Sequence, residues 1–150
     1  MTRRFTLVEM MIVIAIIMIL AAIAVPEFNR MQLASKRSEV PLNVDGIATA
    51  HLAYDAAHDV WATVPGYIPN GTFNKKTRAW ITTSNYTALG YRPDGAVRGG
   101  YYSPPWPPNG VDTVGTCDVD DDNVNASFMA RIDNGSLLGG NWALQPPDTF

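Results

Sequence analysis

Three groups of residues in this 150-residue chain have the types and spacing to do chemistry. Glu9 is a lone carboxylate set directly before sixteen consecutive apolar residues, Met10 to Val25. Ionised groups are penalised inside a bilayer. A segment that served only as an anchor would gain nothing from an acid at its mouth, so Glu9 calls for a partner that satisfies it. Asp118, Asp120 and Asp122 alternate with Val119 and Asp121. Alternating carboxylates can offer oxygens to calcium, which takes about six to eight of them. The EF-hand pattern fails, because counting from Asp118 the glycine position holds Asn123 and the closing glutamate position holds Met129. A solvated acidic loop before a strand is the competing reading. His51, Asp55 and His58 recur at i, i+4 and i+7 of a helical pattern, a donor set that suits zinc or another transition metal. The same residues also fit a helix face that meets a wet edge.

No catalytic set accompanies these groups. The chain has no P-loop, no nucleophile elbow and no His-Glu-x-x-His. Its one cysteine, Cys117, has only His51 and His58 as possible bases, both on the expected stalk. An intrachain disulfide is impossible, so Cys117 is read either as a small buried hydrophobe or as a free thiol that pairs between chains. These residues argue against an enzyme. Net charge is −3 and charged residues make up 17% of the chain, with the basic ones scattered. Nucleic-acid binding needs a basic patch or stripe, so no nucleic-acid partner is expected. Asn-x-Ser/Thr sequons stand at Asn70, Asn85, Asn125 and Asn134; they signify glycosylation only in a secretory context.

The elements that must carry these residues follow from periodicity. Phe5 to Val25 would span about 31 Å as a helix, close to the roughly 30 Å of a hydrocarbon core. Arg3-Arg4 is the basic cluster nearest to it, which places the N-terminus in the cytoplasm and the rest outside. Ala21 to Pro26 has the look of a signal-peptidase site, but the apolar run is long and the helical pattern resumes after Pro26. Pro26 and Pro41 are each expected to kink or break the helix. Val40, Val44, Ile47, His51, Tyr54, His58 and Trp61 form one stripe at 3.6-residue spacing, so the helix is expected to end near Trp61.

Beyond Trp61 the composition turns to Gly, Pro, Asn, Thr and Tyr. Tyr67 to Thr72 reads as a loop with a turn. Arg78 to Ile81 and Ala88 to Tyr91 read as short elements. Arg92-Pro93-Asp94-Gly95 reads as a hairpin turn leading into a strand from Ala96 to Tyr102. Pro104 to Gly110 must be extended or turned, either as a rigid loop or as a recognition surface. Ala126 to Ile132 is the clearest strand, with Ala126, Phe128, Ala130 and Ile132 facing one way. Asp133-Asn134-Gly135-Ser136 turns the chain, and Asn141 to Gln145 is a candidate last strand. Three or four short antiparallel strands packed on the stalk are expected.

Phe5-Thr6-Leu7-Val8-Glu9-Met10-Met11-Ile12-Val13-Ile14-Ala15-Ile16-Ile17, followed by Leu20-Ala21-Ala22-Ile23-Ala24-Val25-Pro26, resembles the N-terminal segment of type IV pilins and type II secretion pseudopilins. Ser35 to Ala50 is also similar to pilin-like first helices, less specifically. The resemblance implies an α+β fold: a long N-terminal helix, hydrophobic in its first half, packed on a small antiparallel β-sheet head. It implies a short basic leader at 1–4, a transmembrane or filament-core helix at 5–25, an amphipathic stalk at 26–61 and a β-rich head at 62–150. A prepilin peptidase would cut between Arg4 and Phe5, the new amine of Phe5 would be methylated, and Glu9 would neutralise that amine on a neighbouring subunit. The family ordinarily has glycine before the cut, and this chain has the large, charged Arg4. Further partners implied are other pilin subunits, an inner-membrane assembly platform and membrane lipid. The location implied is the bacterial inner membrane, with the head periplasmic, and then a pilus or a periplasmic pseudopilus. Some pseudopilins hold calcium in a head loop, which bears on Asp118, Asp120 and Asp122. A second reading, which Arg4 favours, is a membrane-anchored periplasmic or surface binding module that does not assemble.

Overall fold

The first helix, α1, runs from Leu7 to Arg37. This and all later coordinates come from a computed structural model, which describes residues 5–81, 84–138 and 142–143. Thr6 is the N-cap: its hydroxyl accepts a hydrogen bond from the Glu9 backbone N–H, while the Glu9 side chain reaches back to the Thr6 backbone. The helix then continues through Pro26, so this proline does not break it. The break lies instead at Ser38, a one-residue turn that separates α1 from α2, Glu39–His58. Pro41 accounts for it. Its ring sits where it would meet the Arg37 carbonyl four residues back, and it has no N–H to offer that carbonyl. Placed in the first turn of a new helix, its missing donor costs nothing. Helix α2 stops at Asp59, which adopts a left-handed conformation (φ 56°) and donates its N–H to the Asp55 carbonyl. The long helix therefore ends three residues before the expected Trp61.

The head is an antiparallel sheet. Its strands are β1 (Val64–Ile68), β2 (Gly100–Ser103), β3 (Pro105–Trp106), β4 (Gly110–Cys117), β5 (Ala126–Asp133), β6 (Ser136–Leu137) and β7 (Trp142–Ala143), with a short helix α3 (Ser84–Leu89) between β1 and β2. The order is β1-β2-β4-β5-β6, with β3 paired to β4 and β7 to β5. This is the α+β architecture of a long N-terminal helix on a small antiparallel sheet that the sequence leads one to expect. Details differ. The short element expected at Ala88 to Tyr91 is the end of helix α3, so the expected hairpin does not close around Pro93-Asp94-Gly95. Val97 instead bridges back to Arg78 through two backbone hydrogen bonds of 2.7 and 2.8 Å. Strands β1 and β4 have no clear signal in the sequence. The expected turn at Asn134-Gly135 is present, both residues having positive φ (48° and 72°), the conformation that two-residue hairpins require. The expected strand at Asn141 to Gln145 is described only at 142–143, where it pairs with Phe128 and Met129.

The core lies between α2 and the sheet. Val40, Val44, Ile47, Ala48 and His51 of α2 are buried, each apolar one contributing about 1.5–3 kcal/mol where a Val- or Ile-sized side chain is covered. They pack on Val111, Cys117, Ala126, Ala130 and Ile132 of the two central strands. The helix approaches β4 closely at Gly115, where a Cβ would stand 2.6 Å from Val44 Cγ2. Glu39, in the first turn of α2, accepts from the Arg98 backbone N–H (3.0 Å) and pairs with its guanidinium (3.1 Å). This ties the start of α2 to the segment that leads into β2.

Candidate assembly site

No residue of α1 is buried. Among its apolar side chains, Leu7, Ile12, Ile16, Leu20, Ile23 and Phe28 each stand more than half exposed. A continuous apolar surface of this length is not stable against water. The helix is long and apolar enough to cross a membrane, and a helix pairs most of its backbone polar groups within itself, as a lipid environment demands.

Glu9 sits at the mouth of this surface, in the first turn of α1. Its Oε2 accepts from the Thr6 backbone N–H (2.7 Å) and from the Thr6 hydroxyl (2.8 Å), while the Glu9 N–H donates to Thr6 Oγ1 (3.2 Å). This is a capping box. Within a single chain, therefore, the carboxylate is already engaged by Thr6. The Thr-x-x-Glu spacing that signals it is plain in the sequence. Phe5 is highly exposed beside it. Arg4 lies outside the described residues. Pro26 lies in the helix interior, seventeen residues after Glu9, on the exposed stalk.

The acidic loop is organised from within. Asp118 is buried, and its two carboxylate oxygens accept from the backbone N–H groups of Asp121 (2.7 Å) and Asn123 (3.0 Å). Asp122 accepts from the Val124 N–H at 2.7 Å, and Asp121 pairs with Lys75 at 3.8 Å. Oxygens of Asp118, Asp120 and Asp122 lie within 4.8 Å of one another. The Asp120 carboxyl is pushed above its ordinary range by desolvation and then by the neighbouring Asp122 charge.

The histidines do not form a site with Asp55. His51 is fully buried, whereas His58 is exposed at the end of α2, stacked on Tyr54 at 4.2 Å with Nδ1 3.1 Å from the Tyr54 carbonyl. Among the described residues, the acidic loop is the one place where three such ligands gather. Cys117 is fully buried in the core, and burial pushes its thiol up to about 12. It is a packing residue and not a thiol presented to another chain. The Pro-rich segment carries Trp106, whose ring is covered on one side by the Arg131 guanidinium at 3.5 Å. Arg131 is held in turn by Asp112 through two hydrogen bonds of 2.8 and 2.9 Å. Nothing in the sequence links Asp112 to Arg131, since that pairing depends on the β4–β5 register.

The chain has relatives among known proteins. A 57-residue stretch, 38% of this chain, is 49% identical to the type IV major pilin protein PilA of Myxococcus xanthus, of which it covers 26%. A 59-residue stretch is 41% identical to the type IV major pilin protein PilE of Neisseria gonorrhoeae and covers 35% of it. The chain thus spans about a quarter to a third of the length of these two relatives. A longer match, 30% identical over 142 residues, takes in 90% of this chain and 69% of a fimbrial protein of Neisseria meningitidis serogroup B. No family model matches the sequence, and no solved structure matches it. The match to the fimbrial protein extends well beyond the apolar helix and through the head, and on that basis the chain belongs to the type IV pilin family.

Proposed function

We propose that this chain is a structural subunit of a type IV pilus. The observation that carries the proposal is α1: a helix with no buried residue, apolar along its first half, with one carboxylate held at its start. Pilins are structural proteins and not enzymes, and the role proposed is assembly. Before assembly Phe5 to Val25 lies in the inner membrane, with the N-terminus cytoplasmic and the head periplasmic. After assembly the same surface packs against neighbouring stalks in the filament core, with the heads outside. Exchanging lipid for other apolar helices is nearly neutral in hydrophobic energy, so packing and polar pairing must decide register.

Glu9 is the device proposed for that. A prepilin peptidase removes residues 1–4, the methylated amine of Phe5 is released, and Glu9 of a neighbouring subunit accepts it. The assembly platform delivers each subunit from the membrane. Until then the Thr6 cap keeps the carboxylate hydrogen-bonded and preshaped. Intact-mass measurement of chains sheared from the cell surface tests this: they should begin at Phe5 and carry a methyl group. Filament chains that begin at Met1 would overturn the amine pairing. Recovery of the chain only from membranes would favour the non-assembling module, and recovery only from a periplasmic secretion complex the pseudopilin reading.

For the acidic loop, calcium at Asp118, Asp120 and Asp122 is a second proposal, favoured by the proximity of their oxygens and the raised Asp120 carboxyl. The folded state holds a proton at Asp120 more tightly than the unfolded chain does. That carboxylate therefore adds stability at low pH and loses it as pH rises through its folded value, a loss that a bound cation would reverse. Millimolar calcium should raise the melting temperature at pH 7.5 and leave an Asp120→Asn, Asp122→Asn chain unmoved. An equal response from both chains would sink the calcium reading.

A further inference from the structure

His51 has no role in the proposed assembly, yet it occupies an unusual place. It is fully buried in the seat between α2 and the sheet, and neither of its ring nitrogens has a hydrogen-bond partner. A neutral imidazole carries one donor and one acceptor, and an imidazolium carries two donors. Burial without partners penalises the charged form most.

The surroundings of α2 offer no counter-charge on the side that faces it. Gly115 touches Val40 and Val44, so strand alternation turns Val111, Thr113, Gly115 and Cys117 of β4 toward α2. Their β5 partners on the same face are Ile132, Ala130, Phe128 and Ala126. None of these eight ionises except Cys117, whose thiol is neutral at physiological pH. Thr113 Oγ1 is likewise buried and without a partner. The charges of β4 and β5, Asp112 and Arg131, lie on the opposite face and are bonded to each other, and Asp133 follows Ile132 at the end of β5 on that same opposite face. Helix α3, which also packs on α2, brings Tyr86 as its titratable group, held neutral by burial. On α2 itself, Glu39 is taken by Arg98, and Asp45 lies off the buried stripe. Asp55, one turn beyond His51 on the same face, is half-buried and turned toward the Gly135 turn, and desolvation alone sets the shift of the His51 ring.

We infer that His51 makes the seating of the head sheet on α2 acid-sensitive: uptake of a proton at this ring opens the helix–sheet interface around the second half of α2 and leaves α1 intact. Desolvation lowers the imidazole from 6.5 to about 4. The folded state therefore binds fewer protons than the opened state between those values. Stability from this ring is complete above about pH 6.5 and is lost as pH falls toward 4. From pH 7 to pH 4 the opening equilibrium should rise on the order of a hundredfold through this one group.

The test uses the full chain in detergent micelles. Hydrogen exchange of the β4 and β5 amides is followed from pH 7 to pH 4, corrected for intrinsic exchange, in the parent chain and in His51→Leu, His51→Phe and His58→Gln. The parent and His58→Gln should lose protection about a hundredfold more than the His51 variants, while α1 amides stay protected in all four. Equal acid loss in the parent and the His51 variants would overturn the inference. If both His51 variants fail to fold, NMR titration of the His51 ring in the unmodified chain decides: a midpoint far below 6.5 supports the inference and a midpoint at 6.5 refutes it.

Discussion

Chains carrying Glu9→Gln are expected to insert and fold as the parent does, yet to be recovered from sheared filaments at about a tenth of the parental level or less, because a charge-assisted bond to an amine is lost. Thr6→Ala chains are expected to assemble. The pair of variants separates the cap that the structure shows at this carboxylate from the counter-charge proposed for it. Thr6→Ala removes the cap, a loss of about 1 kcal/mol of helix stability, and leaves the charge. Glu9→Gln keeps a side chain that can still complete a capping box, since glutamine serves at that position as well as glutamate, and removes the charge. If the acid matters to assembly as a counter-charge, only Glu9→Gln fails. If it matters as a helix cap, Thr6→Ala fails and Glu9→Gln assembles, and the pairing with the Phe5 amine is wrong. The membrane fraction supplies the control, since both chains must be present there in parental amounts for filament recovery to be meaningful.

How far the fold can be read in advance depends on what each element is packed against. The stalk is legible because its environment is uniform: sixteen apolar residues in succession need no register, and the acid before them stands out. The second half of the helix is legible because one face is buried and the 3.6-residue stripe survives. Strand β5 shows its alternation, and Asn134-Gly135 announces its turn. Strand β4 is hidden for a physical reason. All eight of its residues are buried, so neither face needs to be polar and no alternation results. It also carries residues that read as a loop. Asp112 can be buried only because Arg131 stands opposite it, and Gly115 is small because a helix lies on it. Strand β1 reads as a turn because Pro65 and Gly66 fall inside it, which an edge strand tolerates. The two prolines of the long helix show the same dependence on context. Pro26 and Pro41 read alike locally, but only Pro41 coincides with a break. The stripe likewise placed His51 and His58 on one face, but the sheet covers only the first, so one histidine is core and the other surface.

The close approach at Gly115 leads to the second large effect. Gly115→Val should lower the melting temperature of the head by roughly 15 °C. A Cβ at this position would lie 2.6 Å from Val44 Cγ2, 2.8 Å from Val40 Cγ1 and 3.0 Å from Tyr101 Cε1. None of the three can yield cheaply. Val40, Val44 and Tyr101 are all fully buried, the valines are stiff at χ1 in a helix, and the Tyr101 hydroxyl accepts from Asn43 at 2.8 Å. Overpacking a well-filled core costs about 1–3 kcal/mol, and with three fully buried side chains around the clash the upper end applies. Relief must come from lifting α2 away from β4. That movement also strains the Glu39–Arg98 tie at the start of α2, so proteolysis should strike near Ser38 as the head loosens. Val44→Ala in the same chain removes the nearest methyl and should recover part of the lost stability, a non-additive response expected of residues in contact. The apolar first half of helix α1 lies outside this core, so its helical signal should persist through the head transition. A Gly115→Val chain that melts within about 2 °C of the parent would mean that the sheet does not lie against α2 at this distance. The seating of head on stalk on which His51 also depends would then have to be redrawn.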